Sequence, residues 1–100
     1  MGAIHWNEEE ILSLPSRRFD AAQLIPGQVY RVIKPFEDYD GIVHPIGEQW
    51  LFLEKNFLPY EDGLTLHVDR DGQKILIRLQ WREEFQAGVI DDFSDFVEEI

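Results

Sequence analysis

Apolar and polar residues alternate with a period of two from Leu64 to Trp81, as in a strand with one buried face. Asp71-Gly72 divides this run, and that dipeptide favours a two-residue type I′ turn. Counting outward from the turn opposes Arg70 to Gln73, Val68 to Ile75, Leu66 to Ile77 and Leu64 to Leu79. The aliphatic pairs then share one face. Asp69 with Lys74, His67 with Leu76 and Thr65 with Arg78 take the other. A slip of one residue would turn every aliphatic side chain to the wrong side, so the pattern predicts a single register.

Earlier runs also read as strands. Val29-Tyr30-Arg31-Val32-Ile33 is β-branched and aromatic, and Pro35 closes it. Gly47 opens Glu48-Gln49-Trp50-Leu51-Phe52-Leu53, which is apolar on both faces and therefore belongs in the middle of a sheet. The stretches 37–41 and 56–63 read as loops, the second carrying Pro59.

The ends of the chain read differently. Asn7 and Glu10 have capping-box spacing before Ile11, Leu12 and Leu14, and Pro15 stops that stripe. Ser16 or Asp20 can cap a second turn through Ala21, Ala22 and Leu24. After Gly88, the spacing of Phe93, Phe96, Val97 and Ile100 predicts a helix over 89–100 capped by Asp91 or Asp92.

These elements predict one domain over 1–100: a helical or irregular segment 1–26, a β core 27–86 and a C-terminal helix 89–100. The fold class is mainly β with short terminal helices, built on a small, strongly bent antiparallel sheet. An SH3-like barrel is the first expectation, and an open sheet with a helix across one face the second.

Composition narrows the function. With 44% hydrophobic and 13% aromatic residues, the 100-residue chain can bury one core and is no acidic disordered tail. The absence of cysteine excludes a disulfide scaffold, a thiolate zinc site and a thiol nucleophile. A net charge of −11 repels nucleic acid and anionic membranes and favours a basic protein partner. No apolar run approaches a membrane span, and no basic-then-apolar leader is visible, so a cytoplasmic location is expected.

Tyr30-Arg31-Val32, Phe36, Asp38-Tyr39-Asp40-Gly41, His44-Pro45 and Gly47-Glu48-Gln49-Trp50 form one part of a wider pattern. Phe52, Phe57, Leu58-Pro59-Tyr60-Glu61-Asp62-Gly63-Leu64 and Arg78-Leu79-Gln80-Trp81 complete it. Over roughly residues 26–86 the chain resembles an uncharacterised bacterial family of small domains of unknown function. The resemblance implies one domain and a bacterial origin, and it implies no activity. Peptide-binding SH3 domains are similar in size, and Glu37-Asp38-Tyr39-Asp40 is similar to their acidic first loop. Their paired tryptophans and later Pro-x-x-Tyr have no counterpart, so recognition of proline-rich peptides is not expected.

Candidate chemistry is sparse. Placing Gly41, Gly63 or Gly72 at the glycine of a calcium loop puts Phe36, Leu58 or His67 at the first ligand position. These acidic-glycine stretches therefore read as ordinary turns. His5, His44 and His67 have no metal-ligand spacing, Ser13, Ser16 and Ser94 sit in helical or capping contexts, and no glycine-rich phosphate loop exists. No catalytic residue, metal or cofactor is expected. Trp50 and Trp81 are expected in the core. Tyr39 and Tyr60 stand in acidic loops, either as exposed anchors or as rings folded back to lock those loops.

The leading expectation is a non-catalytic acidic interaction domain. Its candidate surface comprises Asp38, Tyr39, Asp40, His44, Pro59, Tyr60, Glu61 and Asp62. It would bind a protein with a basic surface, for instance as an immunity-type antagonist masking a basic active site, and would itself be a monomer or weak homodimer. The alternative is a small-ligand-binding or hydrolytic enzyme domain using His44 with Asp38, Asp40 or Glu48. That alternative requires His44 and at least one acid to share a concave pocket.

Overall fold

The computed structural model describes residues 18–100. The expected caps at Asn7 and Ser16 and the stripe of Ile11, Leu12 and Leu14 lie outside the described residues. Among the described residues the strands are β1 (Val29–Val32), β2 (Phe36–Glu37), β3 (Val43–His44), β4 (Gln49–Leu58), β5 (Gly63–Arg70), β6 (Gln73–Gln80) and β7 (Val97–Glu99), with a short helix, α1 (Ala87–Asp91). A five-stranded antiparallel sheet runs β6-β5-β4-β1-β7, and β2 pairs with β3 in a separate hairpin.

The β5–β6 hairpin has the register that its turn dictates. Val68 faces Ile75, Leu66 faces Ile77, Leu64 faces Leu79 and Arg70 faces Gln73. Asp71 and Gly72 both adopt positive φ (55° and 82°), as a type I′ turn requires. Leu64, Leu66, Val68, Ile77 and Leu79 are each no more than 1% exposed. They pack with Tyr30, Val32, Trp50 and Phe52 from β1 and β4 to form the core.

β4 is central, as its two apolar faces predict, but it runs past Leu53 into the stretch read as a loop. A register shift between Phe52 and Glu54 absorbs one residue, after which Lys55, Asn56 and Phe57 pair with Leu66, Thr65 and Leu64. Cross-strand pairing with β5 overrides the weak strand propensity of those polar residues. Pro59 then opens a 3₁₀ turn over Pro59–Glu61.

The C-terminal helix expected over 89–100 is not formed. α1 ends at Asp91, a 3₁₀ turn covers Phe93–Asp95, and Val97–Glu99 is a strand beside β1. Gln86 is the N-cap of α1 and Asp92 its C-cap; Asp92 also stands at the N-cap of the 3₁₀ turn, where its side chain makes no capping bond. The physical reason is the free edge of β1, whose backbone groups need partners. Strand pairing supplies them and brings Glu98 against Arg31, whereas a helix would set Glu98 and Glu99 at its unfavourable negative end. Phe93 and Val97 remain fully buried in this arrangement.

Near the start of the described chain, Asp20 caps a 3₁₀ turn over Ala21–Gln23. Its carboxylate accepts from the Ala22 amide at 2.8 Å while Gln23 Oε1 accepts from the Asp20 amide at 2.9 Å. Trp50 is buried as expected. Trp81 is only partly buried; it meets Phe57 edge-on at 6.1 Å and donates from Nε1 to Asp91 at 2.9 Å. Among the described residues no ladder joins β6 to β7, so hydrogen bonds do not close the sheet into a barrel. No described helix is long and apolar enough to cross a membrane.

Candidate functional site

The β2–β3 hairpin builds the site around the turn at residues 38–42. Asp38 directs that turn. One carboxylate oxygen, Oδ1, accepts from the amides of Asp40 and Ile42 at 2.9 and 3.0 Å. Gly41 takes φ +80°, a conformation costly for any residue with a β-carbon. The other oxygen, Oδ2, meets His44 Nε2 at 2.8 Å.

The network continues from His44 to the sheet. Its Nδ1 meets Glu48 Oε2 at 2.7 Å, and Arg70 Nη1 donates to Glu48 Oε1 at 2.5 Å. The ring of Phe36 stacks on the imidazole at 4.8 Å. Side chains of His44, Asp38 and Glu48 are 3%, 1% and 7% exposed. Each ring nitrogen faces a carboxylate, and each such contact needs a proton. His44 thereby links the Asp38 and Glu48 carboxylates, and Arg70 adds a cation on the far side of Glu48. His44 is thus a buried bridge between turn and sheet.

Tyr39 leaves the same turn in the opposite sense. Its amide donates to the Arg78 carbonyl at 2.7 Å, fastening the turn to the β6 edge. The ring is 43% exposed, meets Phe85 edge-on at 5.4 Å, and lies 5.9 Å from the Arg78 guanidinium. It leans on the body yet keeps an open surface.

A cavity lies on either side of this ring. The first, about 400 Å³, is bounded by Tyr39, Glu61, Thr65, Arg78, Gln80 and Arg82. Asp40 sits 3.3 Å from Arg78, and Arg82 donates from Nε to Asp62 at 3.1 Å, so both loop acids hold arginines of this wall. The second, about 480 Å³, is bounded by Tyr39 and Phe85 with Glu37, Gly41, Glu84 and Gln86.

Several predicted residues are therefore brought together. Tyr39 and Glu61 share the first cavity, and Asp40 and Asp62 reach it through their arginines. Asp38 contributes to the wall of the second, but its carboxylate is engaged with His44 and the turn amides. His44 lines neither cavity. Pro59 is exposed at the start of its 3₁₀ turn, and the side chain of Tyr60 lies outside what is described.

Sequence reasoning missed Arg78, Arg82, Glu84, Phe85 and Gln86. The only local signal is an exposed aromatic, Phe85, beside two glutamates in a short connection. Its meaning depends on the docking of a turn more than forty residues earlier.

Comparison with known proteins places this architecture. An integron cassette protein from the mobile metagenome of Vibrio cholerae is similar in structure, with a TM-score of 0.76 and 36% sequence identity. The match covers 78% of this chain and 87% of that one. No curated protein matches the chain. The model of a family described as a domain of unknown function, DUF3601, matches residues 10–100, and so takes in the C-terminal turn and β7 beyond the stretch that carried the resemblance in sequence. The chain belongs to this DUF3601 family.

Proposed function

We propose that the chain is a non-catalytic interaction domain that binds a protein with a basic surface through the ridge formed by Tyr39. One observation carries this reading: a half-exposed aromatic ring is held between two cavities by a rigid turn. Aromatic residues fixed in this way are efficient interface anchors, because little side-chain freedom is lost on binding. The net charge of −11 would steer a basic partner towards it. An immunity-type antagonist of a basic enzyme is one form that suits this chemistry. An SH3-like bending of the sheet would serve as scaffold, although the reading needs only the turn docked on β6.

Burial of His44 weighs against the enzyme alternative. A general base must reach its substrate within hydrogen-bond distance, and this imidazole is enclosed by Asp38, Glu48 and Phe36. The test is affinity capture from bacterial lysate with wild-type and Tyr39→Ala domains at low and high salt. A saturable partner lost in the variant and weakened by salt is expected. Capture indifferent to both changes would overturn the reading.

A further inference from the structure

We propose that the cavity between Tyr39 and Phe85 receives a lysine or arginine side chain of the partner, a proposal that rests on the interaction reading above. The two rings meet at 81° and provide π surface to a cation. Glu37 and Glu84, both exposed, add two carboxylates, and no basic residue lines this cavity. Arg78, whose guanidinium lies 5.9 Å from the Tyr39 ring, belongs to the other cavity and is paired with Asp40.

Gln86 adds a polar group to the cavity wall. It is 9% exposed and lines the cavity. Its Oε1 accepts from the Gln80 amide at 2.9 Å, which identifies the other end of the side chain as the NH₂ group. That group has no hydrogen-bond partner among the described residues. Standing at the cavity wall, this donor is open to solvent, and an incoming acceptor can take the place of water there. The peptide carbonyl adjoining a basic side chain supplies one. A bare metal ion fits poorly, because the cavity presents an amide donor and only two free carboxylates. An aliphatic group fits poorly beside those same charges. A basic residue within a polypeptide satisfies rings, acids and amide together.

The test uses N-acetyl-arginine amide as probe and N-acetyl-citrulline amide as its uncharged counterpart, followed by ¹⁵N–¹H NMR. The arginine probe should shift the backbone signals of Tyr39, Gly41 and Phe85 and the side-chain NH₂ of Gln86, saturating in the millimolar range. Glu37→Gln/Glu84→Gln should weaken it roughly three- to tenfold, the range expected for two exposed charge contacts, without changing citrulline binding. Both positions are exposed, so the remaining spectrum should be unaltered. Phe85→Ala should weaken the probe with both carboxylates intact. Absence of shifts, equal binding of the two probes, or arginine binding unaffected by the double substitution would overturn the proposal. If Tyr39-dependent capture persists while the arginine probe fails, only this assignment falls. If the probe binds as expected while capture finds no Tyr39-dependent partner, it is the interaction reading that falls.

Discussion

His44 is a single residue on which an entire turn depends. It satisfies one oxygen of Asp38 and one of Glu48, both almost fully removed from water. His44→Ala would leave the two carboxylates without their shared donor. Breaking a buried ionic contact by deleting one partner costs about 3–5 kcal/mol. The urea midpoint should fall accordingly, with Tyr39 and Gly41 amides losing exchange protection first. A change below about 1 kcal/mol, the scale of an exposed pair, would show that the network contributes little. The surface pair of Arg18 and Asp95 makes a gentler case. Its hydrogen bond from Arg18 holds the Asp95 carboxyl below the usual carboxylate range and raises the arginine in turn. A lowered acid contributes stability above its unfolded pKa and loses it as pH falls through the folded one. The unfolding-midpoint difference between wild type and Asp95→Asn should therefore be present at neutral pH and shrink below about pH 4, the ordinary range for such a group. A difference that grows on acidification would contradict the sign. At this scale the sequence marked Tyr39, Asp38 and His44 because aromatic, acid and imidazole residues in a glycine-bearing loop are distinctive. It could not mark Gln86, whose significance comes from a bond to Gln80 and a cavity assembled from distant segments.

Among the elements, the β5–β6 hairpin was legible because its specification is local. The turn dipeptide, the alternation of faces and the pairing of Asp69 with Lys74 all demand the same register. Gly72 is its critical residue, with φ +82° and open space where a β-carbon would stand. Gly72→Ala should then destabilise through backbone strain alone, by about 1–2 kcal/mol. Thermal unfolding would measure this, and an unchanged midpoint would mean that the turn relaxes to another type. The C-terminal segment was illegible for the opposite reason. Phe93, Phe96 and Val97 bury side chains at spacings that a helix also satisfies, but here a 3₁₀ turn followed by a strand produces the same spacing. Only the need of β1 for a second neighbour decides between them, and that need is a property of the sheet. β4 teaches the same lesson, since Lys55 and Asn56 become strand residues by virtue of β5.

For the molecule as a whole, the sheet has two ends, and each must avoid pairing with another copy. The β7 end is short and carries Glu98 and Glu99. The β6 end is longer and is only partly covered. Tyr39 occupies the Arg78 carbonyl, and Gln86 occupies both the carbonyl and the amide of Gln80. Towards the turn, Lys74 and the 48%-exposed Leu76 remain on the outer strand. A lysine at that position is a common guard against edge pairing, and the charge of −11 adds long-range repulsion between copies. Salt shortens this repulsion to within about 3 Å at 1 M. Lys74→Val removes the local guard while making the protein still more acidic, so the two protections can be separated. Light scattering after size exclusion should find the variant monomeric at low salt, where repulsion acts alone, and associating as salt rises. Wild type should remain monomeric in both. Association of the variant already at low salt would assign the protection to Lys74 by itself. A variant that stays monomeric at every salt concentration would show that the docked turn and Gln86 protect this edge without help from charge.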